Sequence, residues 1–306
     1  MEINTLGSIL KYYRKKYNLR QEEVCNGICT TTVYSQIENG KKVVDSLIAE
    51  TLLGRIGKTV LQFELLLNED DYELWNLREK IKDAENNDDY IQMKSFLEEY
   101  GKKMPKKSVH KQIFLFESIK CQILWGKTNE GVGKSLYNIL QITQPNWNQE
   151  KETLLSPLEI EIILLIYKFQ EGKWIDIEKS LIKILMFIKE KYSECLKQDI
   201  GNKVLMYLIE YKKKEEDYIC AVKYIDQAIE LHSNGRSIKN IAELHFLKAQ
   251  MIKKGCIERE QWIIEKRKCK MECLMAYHVF VVMGQEEDCK EVQKFCEEEL
   301  EWQIIE

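Results

Sequence analysis

Thr31, Thr32 and Gln36 fall within six residues of one another, and each can read a base edge. A glutamine amide donates and accepts at once, which suits a two-pronged contact to adenine, while a threonine methyl suits the methyl of thymine. Gln21, Asn39 and Lys41 flank them with groups able to hold phosphate oxygens on either side of a groove. That chemistry needs the first three side chains on one outward face of a short helix. The local signals supply it. Gln21 to Cys25 reads as a short helix with Val24 and Cys25 inward, and Gly27 gives the backbone freedom for a tight turn. Thr30 or Thr31 then caps a second helix that runs to Glu38 and stops at Asn39-Gly40. Val33 and Ile37, spaced i,i+4, form its expected inward stripe. A helix-turn-helix that meets duplex DNA is the expectation. Its bland rival is a solvated polar helix face.

Further residues extend the pattern. Leu6-Gly7, Arg14, Leu19, Gln21, Gly27-Ile28 and Gln36-Ile37-Glu38-Asn39-Gly40-Lys41 resemble the Xre and phage-repressor family of helix-turn-helix domains. Leu47, Ala49, Leu52, Leu53 and Ile56, running to Gly57-Lys58, match that family's fourth helix. The likeness covers about the first 60 residues. It implies an ion pair of Arg14 with Glu38 that holds the first helix against the third. Where many relatives carry Pro-Ser before helix four, this chain has Val43-Val44-Asp45-Ser46, and Asp45 or Ser46 is left to cap it.

The 306 residues as a whole, with only 3 prolines and 14 glycines, predict an all-α chain. Pro105, Pro145 and Pro157 fall between helical patterns. With neither an apolar run long enough to span a bilayer nor an apolar leader, a cytoplasmic protein is expected. The ten cysteines are then expected reduced. Cys25/Cys29 and Cys269/Cys273 are spaced i,i+4, but nothing beside them has zinc spacing, so no metal or other cofactor is expected. Residues 1–59 hold nine Lys/Arg and six Asp/Glu, net +3, while the remainder is net −7. A weakly basic head on an acidic body confines nucleic-acid contact to the head and favours a homodimer.

A linking helix through Leu61, Phe63 and Leu65 is expected to join the head, residues 1–68, to a body of residues 69–306. The body reads as antiparallel helix pairs: 70–86 with 88–103, 107–126 with 130–143, 157–171 with 174–192, 197–214 with 217–232, and 237–254 with 259–283. A last helix, 285–303, follows. The spacing approaches the tetratricopeptide period. Tyr218, Ala221, Tyr224 and Ala228 make the clearest unit, with small residues for close helix approach and rings beside them. The expected architecture is a helix-turn-helix domain followed by a TPR-like α-solenoid with a concave groove. On the inner face of successive first helices, Asn202, Lys203, Tyr207, Asn240 and His245 are candidates to hold a peptide backbone, with helix capping the alternative for both asparagines.

An Xre-type head on such a body resembles the RRNPP group of peptide-pheromone receptors over the full length. The resemblance implies a quorum-sensing transcription regulator: a homodimer on a palindromic double-stranded operator, controlled by a short signalling peptide in the groove. The rival is a TPR-like protein-binding scaffold with a vestigial head. A nucleotide-dependent enzyme is the third reading. Gly131-Val132-Gly133-Lys134-Ser135 and Gly57-Lys58-Thr59 imitate a phosphate loop but lack its first glycine and its strand. His110, His232, His245 and His278 stand without a triad spacing, so no enzyme is expected.

Overall fold

The computed structural model describes residues 6–60, 69–127, 130–148, 153–169, 176–233, 238–256 and 259–304. The expected linking helix through Leu61 to Leu67 lies outside them. Among the described residues the chain is helical throughout, without strands. No described helix is long and apolar enough to cross a membrane. Packing divides the chain into two compact units, one of residues 1–180 with 190–196 and the other of 181–189 with 197–306.

The first unit opens with α1 (Leu6–Lys16), α2 (Gln21–Cys25), α3 (Thr31–Glu38) and α4 (Ser46–Arg55). Their boundaries follow from local chemistry. The Thr30 hydroxyl accepts from the Val33 amide at 3.3 Å and caps α3. Asp45 accepts from the Ile48 amide at 2.9 Å and caps α4. Gly27 and Gly40 take φ of +68°, the left-handed region, at the turn and at the end of α3. Leu10, Val24, Cys25, Tyr34, Ile37, Leu52 and Leu53 close one apolar core, and Val109 from beyond the head joins it.

Next come α5 (Glu69–Asn86), α6 (Tyr90–Lys103), α7 (Ser108–Leu124), α8 (Val132–Leu140) and α9 (Pro157–Phe169). Leu77, Ile81, Met93, Leu97 and Tyr100 seal α5 against α6 as a pair. The expected pairing then slips. Helix α8 packs chiefly on α9 rather than on α7. It is only nine residues long, with Leu136, Ile139 and Leu140 as its single buried stripe. The buried face of α9 is apolar at Ile160, Ile162, Ile163, Leu164 and Ile166, with the carboxylate of Glu159 and the ring of Tyr167 the polar groups within it.

Helix α10 (Ile177–Lys191) contributes residues to both units, and the short α11 (Glu194–Leu196) follows. A π-helical turn, Lys197–Gly201, leads without a break into α12 (Asn202–Lys214). Helices α13 (Tyr218–Ser233), α14 (Ile238–Gly255), α15 (Arg259–Val282) and α16 (Glu286–Leu300) complete the second unit. Here α12 packs on α13 and α14 on α15. Ala221 and Ala228 are buried, and the Cβ of Tyr218 sits 3.3 Å from where a Cβ on Gly255 would stand. Cys269, Cys273, Cys289 and Cys296 belong to the apolar core between α14, α15 and α16. All ten cysteines are free thiols. No group of three His, Cys, Asp or Glu among the described residues could hold a metal ion.

Candidate nucleic-acid interface

Helix α3 has two faces with different fates. Tyr34, Ile37 and Glu38 are buried, so the inward stripe runs through Tyr34 rather than Val33, which is half-buried. The i,i+4 partner of Ile37 therefore sits at the margin, and its i,i+3 neighbour fills the core. Thr31, Thr32 and Gln36 are exposed on the other face. Gln21, Thr31, Thr32, Ser35, Gln36, Asn39 and Lys41 line one open polar concavity of about 400 Å³. All six residues proposed from the sequence for base and phosphate contact are thus brought together. Ser35, a turn from Thr32 and not singled out beforehand, joins them.

Beneath that face Glu38 ties three helices. Arg14 donates from Nε to Glu38 Oε1 at 2.6 Å and from Nη2 to Oε2 at 2.9 Å. Gln21 Nε2 donates to the same Oε2 at 2.7 Å, and Arg14 Nη1 reaches the Leu19 carbonyl at 3.1 Å. Burial pushes the Glu38 carboxyl up, but the donors of Arg14 and Gln21 outweigh it and hold it below the ordinary 4.5. Glu38 is therefore an anion that fixes α3 against α1 and α2. The approach of α1 is close: a Cβ on Gly7 would stand 2.1 Å from the Ile37 carbonyl oxygen.

The flanking amides are partly engaged inside the head. Gln21 holds Glu38, as above. Asn39 donates from Nδ2 to the Ser35 carbonyl at 2.8 Å and accepts from Lys11 Nζ at 3.0 Å. Lys11, invisible as a site residue from sequence, thereby brings a cation onto Asn39, one of the residues that line the concavity. Lys41 itself is exposed.

The candidate groove residues of the second unit have varied surroundings. Asn202 continues the π-helical turn, because Gly201 before it is itself helical, at φ −61° and ψ −40°. It is not a helix-start cap. Its Oδ1 is buried and has no hydrogen-bond partner among the described residues. Lys203 lies 3.7 Å from Asp199, and Tyr207 and Asn240 are half-buried. His245 is buried, and its Nδ1 is 2.5 Å from Glu272 Oε2, a carboxylate shared with Lys248 at 2.5 Å. That network leaves His245 a packed residue rather than one turned to a ligand.

No family model matches the sequence, and neither does any curated protein. Solved structures do. The structure of Bacillus thuringiensis PlcR, in complex with the peptide PapR7 and DNA, superposes with a TM-score of 0.52 at 14% identity, covering 95% of this chain and 99% of that one. The chain has the fold of the RRNPP peptide-pheromone receptors. ComR from S. thermophilus, with DNA and its signalling peptide ComS, matches at a TM-score of 0.40 and 15% identity, over 95% of this chain and 98% of that one. A point mutant of PrgX matches at 0.40 and 16%, over 97% and 92%.

Proposed function

We propose that this chain is a DNA-binding transcription regulator whose head, residues 1–68, reads a duplex and whose body, residues 69–306, answers a short peptide. The observation that carries the reading is the outer face of α3: three exposed polar side chains, without a hydrogen-bond partner among the described residues, on a helix anchored from behind by the buried Glu38 carboxylate. A helix so held presents Thr31, Thr32 and Gln36 at fixed spacing, as base reading requires. Lys41 and Lys11 at its edge suit phosphate. The fold shared with PlcR, a protein seen with peptide and DNA, supports the same assignment. Two copies on a palindromic operator fit a head whose small net positive charge gives one copy little affinity. The buried, unpartnered Oδ1 of Asn202 supports a peptide N–H donor as its partner.

Selection of duplexes from a random pool by the purified protein tests the head. Gln36→Ala is expected to weaken the recovered duplex by roughly 1–3 kcal/mol and random DNA far less. Lys41→Ala is expected to weaken both alike and to lower the salt slope by about one. Equal losses on both duplexes for Gln36→Ala would remove it from base reading. A pool that yields no preferred sequence would favour a protein-binding scaffold.

A further inference from the structure

Arg55, the last residue of α4, has a fully buried side chain, and each of its five N–H groups meets an acceptor. Nη1 donates to the Val24 carbonyl at 3.0 Å and to the Asn26 carbonyl at 2.6 Å. Nη2 donates to the Thr143 carbonyl at 2.8 Å and to Glu159 Oε1 at 2.5 Å, and Nε to Glu159 Oε2 at 3.3 Å. Val24 and Asn26 end α2 and enter the turn that leads to α3. Thr143 and Glu159 belong to the α8–α9 segment, more than 80 residues along the chain. One guanidinium thus joins the helix-turn-helix to the helices behind it.

The acceptor side is equally fixed. Glu159 is fully buried and accepts from the Thr143 hydroxyl and the Ser156 amide, both at 2.7 Å. Gln112 of α7 donates to that hydroxyl at 2.6 Å. Burial pushes the Glu159 carboxyl up, yet Arg55 outweighs it and keeps the group an anion. A second, independent contact lands on the same segment: a Cβ on Gly27 would stand 2.3 Å from the Thr143 carbonyl oxygen. The turn therefore rests on Thr143 both through backbone contact and through Arg55. Asp45 at the start of α4 adds a separate tie, to Lys107 at the N-terminus of α7, at 2.7 Å.

A buried ion pair is a poor source of stability in itself, since an apolar pair of similar volume commonly serves as well or better. What it supplies is direction, because five donors in a rigid plane accept only one arrangement of carbonyls and carboxylate. We propose that Arg55 and Glu159 are positioning residues for duplex reading, setting the attitude of α3 by locking its turn to the α8–α9 segment. The assignment rests on the reading of α3 as the duplex-reading helix. It makes α8 and α9 the part of the body through which a rearrangement reaches the head.

The test uses the full chain carrying Arg55→Lys, Glu159→Gln, or Arg55→Met with Glu159→Leu. Three quantities are measured: the unfolding midpoint, hydrogen exchange at the Ile28 and Cys29 amides, and the affinity ratio of the duplex selected by the unaltered protein over a random duplex. The double apolar variant is expected to keep its midpoint within about 5 °C. Its selected-over-random ratio is expected to fall roughly tenfold or more. The Ile28 and Cys29 amides, which bond to the Cys25 carbonyl at 2.9 and 3.1 Å, are expected to exchange faster, while those of Ala221 and Ala228 are unchanged. Arg55→Lys keeps the charge but has three donors in place of five, so it is expected to lie between the two. A folded double variant with unaltered exchange at the turn and an unaltered ratio would overturn the proposal. So would loss of folding in all three variants, which would make the pair structural only. If the unaltered protein selects no duplex, the duplex-reading assignment fails separately, and exchange at the turn still decides whether Arg55 fixes it.

Discussion

Glu38→Gln isolates what one carboxylate does for the head. The amide preserves shape while removing the charge that faces Arg14 at 2.6 and 2.9 Å and Gln21 at 2.7 Å. Hydrogen bonds to a charged group contribute about 1.5–3 kcal/mol each, and breaking one member of a buried pair costs about 3–5 kcal/mol. The Arg14 side chain keeps 14% of its exposure, so the stranded guanidinium reaches some water and the lower end applies. The expected loss is about 3 kcal/mol at neutral pH. Its pH dependence is the sharper signature. A carboxyl whose folded pKa lies below 4.5 contributes stability that is present above that value and lost as pH falls through the folded pKa. The gap between the unaltered protein and Glu38→Gln is therefore expected to close in acid. Hydrogen exchange at the Tyr34 to Glu38 amides reads the local opening energy without the rest of the chain. Measured with Arg14→Met as a double-mutant cycle, the coupling is expected near 2 kcal/mol or above. A gap as wide at about pH 3 as at neutrality, or a coupling near zero, would refute the role given to Glu38.

Gly27→Ala combines a left-handed φ of +68° with a contact 2.3 Å from the Thr143 oxygen, so a loss of about 3 kcal/mol or more is expected in thermal unfolding. A loss under about 1 kcal/mol would mean that the turn does not rest on Thr143. Burial, opposed by Lys120 and aided by Glu85, raises the Glu117 carboxyl to about 7. A raised acid favours folding below its unfolded value and loses that contribution as pH climbs through the folded one. Glu117→Gln is thus expected to gain up to about 3 kcal/mol on the unaltered chain between roughly pH 5 and pH 8. Parallel urea curves for the two proteins across that range would remove the shift.

The head was largely legible because its signals are local. A cap, a glycine turn and an αL stop each act within four residues, and the structure resolves the two open choices in favour of Thr30 and Asp45. Tyr34 escaped because an eight-residue helix has barely two turns, too few to tell an i,i+3 stripe from an i,i+4 one. Arg55 escaped for a different reason. A cation at a helix C-terminus looks like ordinary dipole complementation, and its carboxylate partner is 104 residues away. The α8–α9 packing and the engagement of His245 by Glu272 share that cause: both depend on contacts between elements, which periodicity within one element does not encode. The amides of Gln21 and Asn39 line the concavity beside Thr31, Thr32 and Gln36, but their bonds to Glu38 and Ser35 follow only from helix-to-helix geometry or cap detail.

The division of α3 into a tethered inner face and a bare outer one bears on how such a chain diversifies. Thr31, Thr32 and Gln36 carry no side-chain hydrogen bond among the described residues, whereas Tyr34, Ile37 and Glu38 hold the helix in place. Under the proposed reading of α3 as the duplex-reading helix, duplicated copies can drift at the three outward positions and acquire separate target sequences while inheriting one unaltered scaffold. The same separation makes those positions a natural site for a randomised library, since members would differ in address and hardly at all in folding.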